Sequence, residues 1–176
     1  MPNRALWTIG AIVAMFTAVS LSPPTAHAAA RAKSRYLVYT PDAYTRVETI
    51  VTKQKEKKYY VFTPSKPIEF AVTGPTELRL ATRLLYAVDM KGEQHYTVTI
   101  TEHGLLGRTR DVATYTLTTR KSPVSTVAGK SRLVPATGRV VKLPVSAGSH
   151  RYQIHLSGTA AEAGLRILIP KKDVRP

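Results

Sequence analysis

Residues 96–101 read Tyr, Thr, Val, Thr, Ile, Thr, so three apolar side chains alternate without error with three hydroxylated ones. Successive side chains on an extended strand point to opposite faces, so a period of two makes one face for a core and one for water. The pattern recurs along the chain. Ile68, Phe70 and Val72 alternate with Glu69 and Ala71, and Leu78, Leu80 and Leu84 leave Arg79 and Arg83 pointing outward. Residues 152–156 and 165–169 repeat it near the C-terminus. Runs of this kind, rich in β-branched and aromatic residues, predict half-buried strands.

Weaker strands fill the intervals. Residues 47–52 and 58–63 flank Lys53-Gln54-Lys55-Glu56-Lys57, which reads as a solvated hairpin tip. Residues 111–119 are expected to pair back on 94–101 through Gly104 and Gly107. Gly74-Pro75 is expected to reverse the chain between two strands, and so is the run 146–149 (Ser-Ala-Gly-Ser), between strand 139–145 and the strand opened by His150. Helix formers cluster only at 160–163, too short a stretch to stand alone. Residues 31–45 read either as a flexible lead-in or as a first strand through Tyr36 and Tyr39. The segment 120–136, with two prolines and a glycine, reads as the longest exposed loop, with or without a short edge strand inside it. The expectation is an all-β fold: one antiparallel β-sandwich or jelly-roll-like domain of about eight strands. Its core is expected to contain Ile68, Phe70, Val72, Leu78, Leu80, Leu84, Val98, Ile100, Ile154, Leu156, Ile167 and Ile169.

The N-terminus has the three parts of a cleavable signal peptide: Arg4, an uncharged and mostly apolar stretch over 5–19, and Ala26-His27-Ala28 after two prolines. The expected cut follows Ala28. The division is then 1–28 signal peptide, 29–46 lead-in, 47–170 β-sandwich and 171–176 tail. The apolar stretch is shorter than the roughly 20 residues of a spanning helix, and no later run is long enough to be one. The mature protein is therefore expected to be exported, periplasmic or extracellular, with no integral membrane segment.

The chain has no cysteine, which excludes a disulfide framework, thiol catalysis and a Cys-based zinc site. It carries 26 Lys and Arg against 11 Asp and Glu, a net charge of +15. Such a field draws anions. For an exported protein these are the anionic polymers of the cell envelope; the other reading is that the charge serves solubility alone, because the basic residues are spread along the chain. The candidate anion-binding residues are Lys53, Lys55, Lys57 and Lys58 at the hairpin tip, and Arg120, Lys121, Lys130 and Arg132 in the long loop. Tyr36, Tyr39 and Tyr44, and the pair Tyr59-Tyr60, are the aromatic groups available beside them. Strand alternation predicts one core and one rim tyrosine in each pair.

The strand pattern also carries a resemblance. Thr73-Gly74-Pro75-Thr76, Leu78-Arg79-Leu80, Thr82-Arg83-Leu84-Leu85-Tyr86, Gly92, Gln94-His95-Tyr96, Gly148-Ser149-His150-Arg151-Tyr152 and Arg166-Ile167-Leu168-Ile169-Pro170 resemble secreted bacterial β-sandwich proteins of unknown function. The resemblance covers roughly 47–170. It implies the fold and export, and brings no active site with it.

The search for chemistry gives no catalytic, cofactor or metal constellation. His150 and His155 lie an odd number of residues apart, on opposite faces of a strand, and no H-E-x-x-H spacing occurs. Asp42, Asp89, Glu102 and Asp111 fall at expected turns or strand ends, without the facing pair a glycosidase needs. No nucleophile elbow and no nucleic-acid recognition motif is present. The resulting expectation is a non-catalytic, exported binding or structural module of the cell envelope. It needs no cofactor, and its partner is an anionic envelope polymer or an envelope protein rather than nucleic acid. The alternative is a hydrolase acting on envelope polysaccharide.

Overall fold

The computed structural model describes residues 34–104, 107–158 and 160–174. The expected signal peptide and its cleavage site lie outside them. Ten strands follow in chain order: β1 Tyr36–Tyr39, β2 Arg46–Thr52, β3 Lys55–Phe62, β4 Ile68–Tyr86, β5 Gln94–His103, β6 Thr109–Thr119, β7 Ser125–Val127, β8 Val134–Pro135, β9 Arg139–Gly158 and β10 Ala163–Pro170. A 3-10 turn at Lys171–Asp173 follows β10, and no α-helix occurs among the described residues. Every strand pairing is antiparallel, in the order β6-β5-β9-β4-β10-β3-β2-β7, with β1 added to β10 and β8 to β4. The all-β fold stands, with two strands more than the pattern gave.

Two expected chain reversals are not reversals. Gly74-Pro75 and residues 146–149 lie opposite each other inside one long ladder, in which β4 pairs with β9 from Ile68↔Ile154 to Gly74↔Gly148 and onward from Thr76↔Val145 to Thr82↔Arg139. Between these stretches Ser146 and Ala147 stand opposite Pro75 alone. This is a β-bulge: one strand spends an extra residue and the ribbon bends. The extra residue also shifts the inward parity of β9. Val141, Leu143 and Val145 are buried before it, and Tyr152, Ile154 and Leu156 after it. A shift of one residue turns every following side chain to the other face, and here it keeps both halves of β9 on the same core.

That core joins the two wings of the sheet. Tyr96, Val98 and Ile100 from β5 belong to one buried cluster with Leu165 and Ile167 from β10, on the far side of the β4–β9 ribbon. All twelve expected core residues are buried. Fully burying a side chain of this size contributes roughly 1.5–3 kcal/mol, so this face accounts for a large part of the folding free energy.

The outer face of β2 and β3 carries a second cluster, where the short edge strand β7 inside the 120–136 segment packs down. Ser125 and Val127 are buried, and β7 pairs with β2 through Ile50↔Val127 to Thr52↔Ser125. Val127 packs with Ile50, Tyr59, Val61 and Leu85. Tyr59 and Tyr60 are therefore both buried, Tyr60 in the main core and Tyr59 beneath the 120–136 segment. The β2–β3 turn is tighter than expected, only Lys53 and Gln54 with positive φ of 46° and 63°. At the N-terminal side, β1 runs along β10 from Tyr36↔Pro170 to Tyr39↔Ile167, which extends the folded body back beyond residue 47.

Candidate anion-binding face

Pairing of β10 with β4 puts Gly164 beside Arg83, Arg166 beside Ala81 and Leu168 beside Arg79. Since Leu165, Ile167, Leu78 and Leu80 face the core, alternation turns Arg166, Arg79 and Arg83 to the opposite, outer face. Arg166 thus lies diagonally between the two arginines of β4, at a separation that long side chains bridge. Tyr59 and Lys57 of β3 share this outer face.

These cations are crowded and unbalanced. None of Lys57, Arg79, Arg83 and Arg166 makes an ion pair with a carboxylate among the described residues. Burial, followed by the charges of Arg166, Arg83 and Lys55, holds the Lys57 ammonium below the usual lysine range. Aromatic faces supply part of what the carboxylates do not. The Arg79 guanidinium lies 4.7 Å from the Tyr36 ring centre, and Arg166 and Arg83 lie 5.7 and 5.9 Å from that of Tyr59. Contacts of this kind contribute about 0.5–2 kcal/mol but leave the N–H groups without acceptors. The Nε atoms of Arg79 and Arg166 are both buried with no hydrogen-bond partner. Arg83 differs: it donates to Tyr59 Oη (3.2 Å), Ser125 Oγ (3.0 Å) and the Ala136 carbonyl (3.0 Å), so it clasps the 120–136 segment to the sheet.

The eight basic residues named from the sequence do not gather in one place. Lys55 and Lys57 share the outer face with Tyr59, Lys53 sits in the turn, and Lys58 points to the opposite face of β3. In the 120–136 segment Arg120 donates to Glu93 (3.0 Å) and Lys130 to Glu48 (2.5 Å), while Lys121 lies 5.6 Å from the centre of the Tyr86 ring. Arg132 is exposed. The sequence reading missed Arg79, Arg83 and Arg166 as site residues. Their signal was the outward position of each in its own strand; that β4 and β10 are neighbours was not visible.

A second cluster sits at the bulge. Glu102 Oε1 lies 2.6 Å from His150 Nδ1, and Ser146 Oγ lies 3.2 Å from His150 Nε2. A serine, an imidazole and a carboxylate in this order have the connectivity of a nucleophilic relay. The Glu102 carboxylate, with the backbone at Ala147 and Ser146 adding to it, lifts the His150 pKa against the opposing effect of burial. Glu102 is in turn held below the usual carboxylate range, by His150 first and by Arg110 (2.8 Å). The three residues form an ionic pin joining β5, β6 and the bend of β9.

Among the described residues no group of three His, Asp or Glu side chains could hold a metal ion, and no helix is long and apolar enough to cross a membrane. A groove of about 700 Å³ opens between β1 and the bend of β4, with Leu37, Pro75, Ile169 and Val174 in its wall. None of the four clustered cations lines it.

No family model matches the chain, and no curated protein matches it. Among solved structures it is similar to a carbohydrate-binding module from Cellvibrio mixtus lichenase 5A, in complex with cellotriose. The identity is 13%, the match covers 77% of this chain and 96% of the module, and the TM-score is 0.39. A second similarity is to the enzymatically active domain of tailspike protein 4 from bacteriophage CBA120, at 14% identity, 77% of this chain, 19% of that one and a TM-score of 0.25. Neither likeness bears on the site, which rests on the geometry above.

Proposed function

We propose that the chain is an exported, non-catalytic β-sandwich of the cell envelope that binds an anionic polymer on the outer face of β3, β10 and β4. The observation that carries the reading is the group Lys57, Arg79, Arg83 and Arg166, gathered on one face with none of them ion-paired to a carboxylate among the described residues. Like charges on neighbouring strands oppose folding. An oxyanion on the accessible ends of Arg79 and Arg166 offsets that repulsion. The signal-like N-terminus and the resemblance to secreted β-sandwich proteins support export.

The test is binding of the mature protein to an immobilised acidic polysaccharide across a salt series. Exposed charges are screened beyond about 8 Å at physiological ionic strength, so binding should be firm at low salt and fall steeply as salt rises. Arg79→Gln with Arg166→Gln should weaken it at least about tenfold, since hydrogen bonds to charged groups are worth roughly 1.5–3 kcal/mol. Lys53→Gln with Lys58→Gln should change it little. Binding that survives the arginine changes and high salt would overturn the assignment.

A further inference from the structure

The basic face is larger than one oxyanion requires. Lys57, Arg166 and Arg79 stand on three different strands, β3, β10 and β4, and adjacent strands are about 4.8 Å apart, so the group spans roughly 10 Å across the sheet. Arg79 and Arg83 are four residues apart on one strand, roughly 13 Å at 3.3 Å per residue. A single carboxylate or phosphate is satisfied by one bidentate guanidinium or two and leaves the remaining cations unbalanced.

The face also has walls. At one end the 120–136 segment lies over Tyr59 and is clasped by Arg83. At the other, Tyr36 of β1 is capped by Arg79. Between these ends Arg166 is central, diagonal to Arg79 and Arg83 on β4 and close enough to Lys57 to depress its ionisation. The aromatic rings of Tyr36 and Tyr59 are covered by guanidinium groups, so they orient the arginines rather than offer open platforms for a neutral sugar.

We infer that this face is built for an extended polyanion carrying several regularly spaced oxyanions, with Arg166 and Arg79 gripping one and Lys57 with Lys55 engaging the next, rather than for a single small anion. This rests on the anion-binding reading above and adds to it that several anionic groups of one chain are held at once. The chemistry is shared by carboxylate chains such as oligogalacturonates and by phosphodiester chains such as poly(glycerol phosphate). Either would be recognised by repeated charge, with the arginines fixing the position of one group.

The experiment is a calorimetric titration of the mature protein at fixed low salt with galacturonate monomer, trimer and hexamer, and in parallel with glycerol phosphate and its oligomers. The expected result in at least one series is that affinity per molecule rises at least about tenfold from monomer to hexamer. Lys57→Gln should remove most of that gain while leaving the weak monomer binding in place, because Arg79 and Arg166 are intact. Phosphate oligomers binding in place of galacturonates, with the same dependence on length, supports the inference and identifies the source. A monomer that competes as well per anionic group as the hexamer would overturn the extended site while leaving a single-anion site standing. No binding by any member of either series would overturn both readings.

Discussion

The carbonyl oxygen of Ser146 lies 1.8 Å from the point where a side chain on Gly74 would place its Cβ. The bulge of β9 and the bend of β4 thus interlock through a contact that only glycine permits. The obstructing atom is backbone held in a ladder on both sides, so it cannot step aside as a flexible side chain would. Gly74→Ala should therefore cost at least about 3 kcal/mol, at the upper end of the range for overpacking. Gly92→Ala has open space around it and a positive φ of 69°, and should cost only about 1–2 kcal/mol for the left-handed backbone. Urea denaturation of both variants checks the difference. Equal costs would mean that the two bends are not interlocked.

The pin of His150 and Glu102 makes stability depend on pH with a definite sign. The folded pKa of His150 stands above its ordinary 6.5, so its contribution is complete below about pH 6.5 and drains away as pH rises through the folded value. Glu102 is displaced downward from 4.5; its contribution is complete above about pH 4.5 and is lost as pH falls through its lower folded value. The gap in melting temperature between the native protein and His150→Gln should be widest between those limits and narrow on the alkaline side. A gap that stays constant from pH 5 to 9 would remove the ion pair from the account.

Glu48 should be the costliest carboxylate to remove. It is 3% exposed, yet its pKa is lowered: burial pushes it up, and hydrogen bonds from Lys130 and Arg46 outweigh burial. Arg46 donates to it at 2.6 Å and to both oxygens of Glu162, so one arginine joins β2 to the β9–β10 connection. Lys130 ties the 120–136 segment to the same point. Glu48→Gln should cost about 1–3 kcal/mol, because Lys130 can swing to water and Arg46 keeps Glu162. Lys130→Ala should also loosen the segment, which faster amide exchange at Val127 and Ala128 would report. Unchanged exchange there would show that the β2–β7 pairing and the Arg83 clasp hold it without Lys130.

All twelve positions that alternation assigned to the core are buried, because a period of two reports directly which face of a strand is dry. Beyond the hairpins of 47–52 with 58–63 and of 94–101 with 111–119, both present in the sheet, it could not say which strands become neighbours. Arg79 and Arg166 are 87 positions apart and meet only through the pairing of β4 with β10, so the basic face was invisible although each arginine was seen to point outward. Turn chemistry misled at Gly74-Pro75 and at 146–149. The residues that reverse a chain are also those that permit a bulge, and only the ladder distinguishes the two uses. The charged run after Lys53 looked like a loop because exposed strand residues at a sheet surface have the same composition. The 120–136 segment was read as exposed from its prolines and glycine, while its buried anchors, Ser122, Ser125 and Val127, are small and leave little trace in hydrophobicity.

The central claim is that a polyanion lies on the outer face of β3, β10 and β4. Amide chemical-shift mapping during titration with oligogalacturonate, or with poly(glycerol phosphate) if that is the series that binds, tests it most directly. Perturbations should concentrate at Lys57, Tyr59, Arg79, Ala81, Gly164 and Arg166 and fade when salt is added, with β5 and β6 unaffected. Perturbations confined to β5 and β6, or to the turn at Lys53 and Gln54, would contradict it.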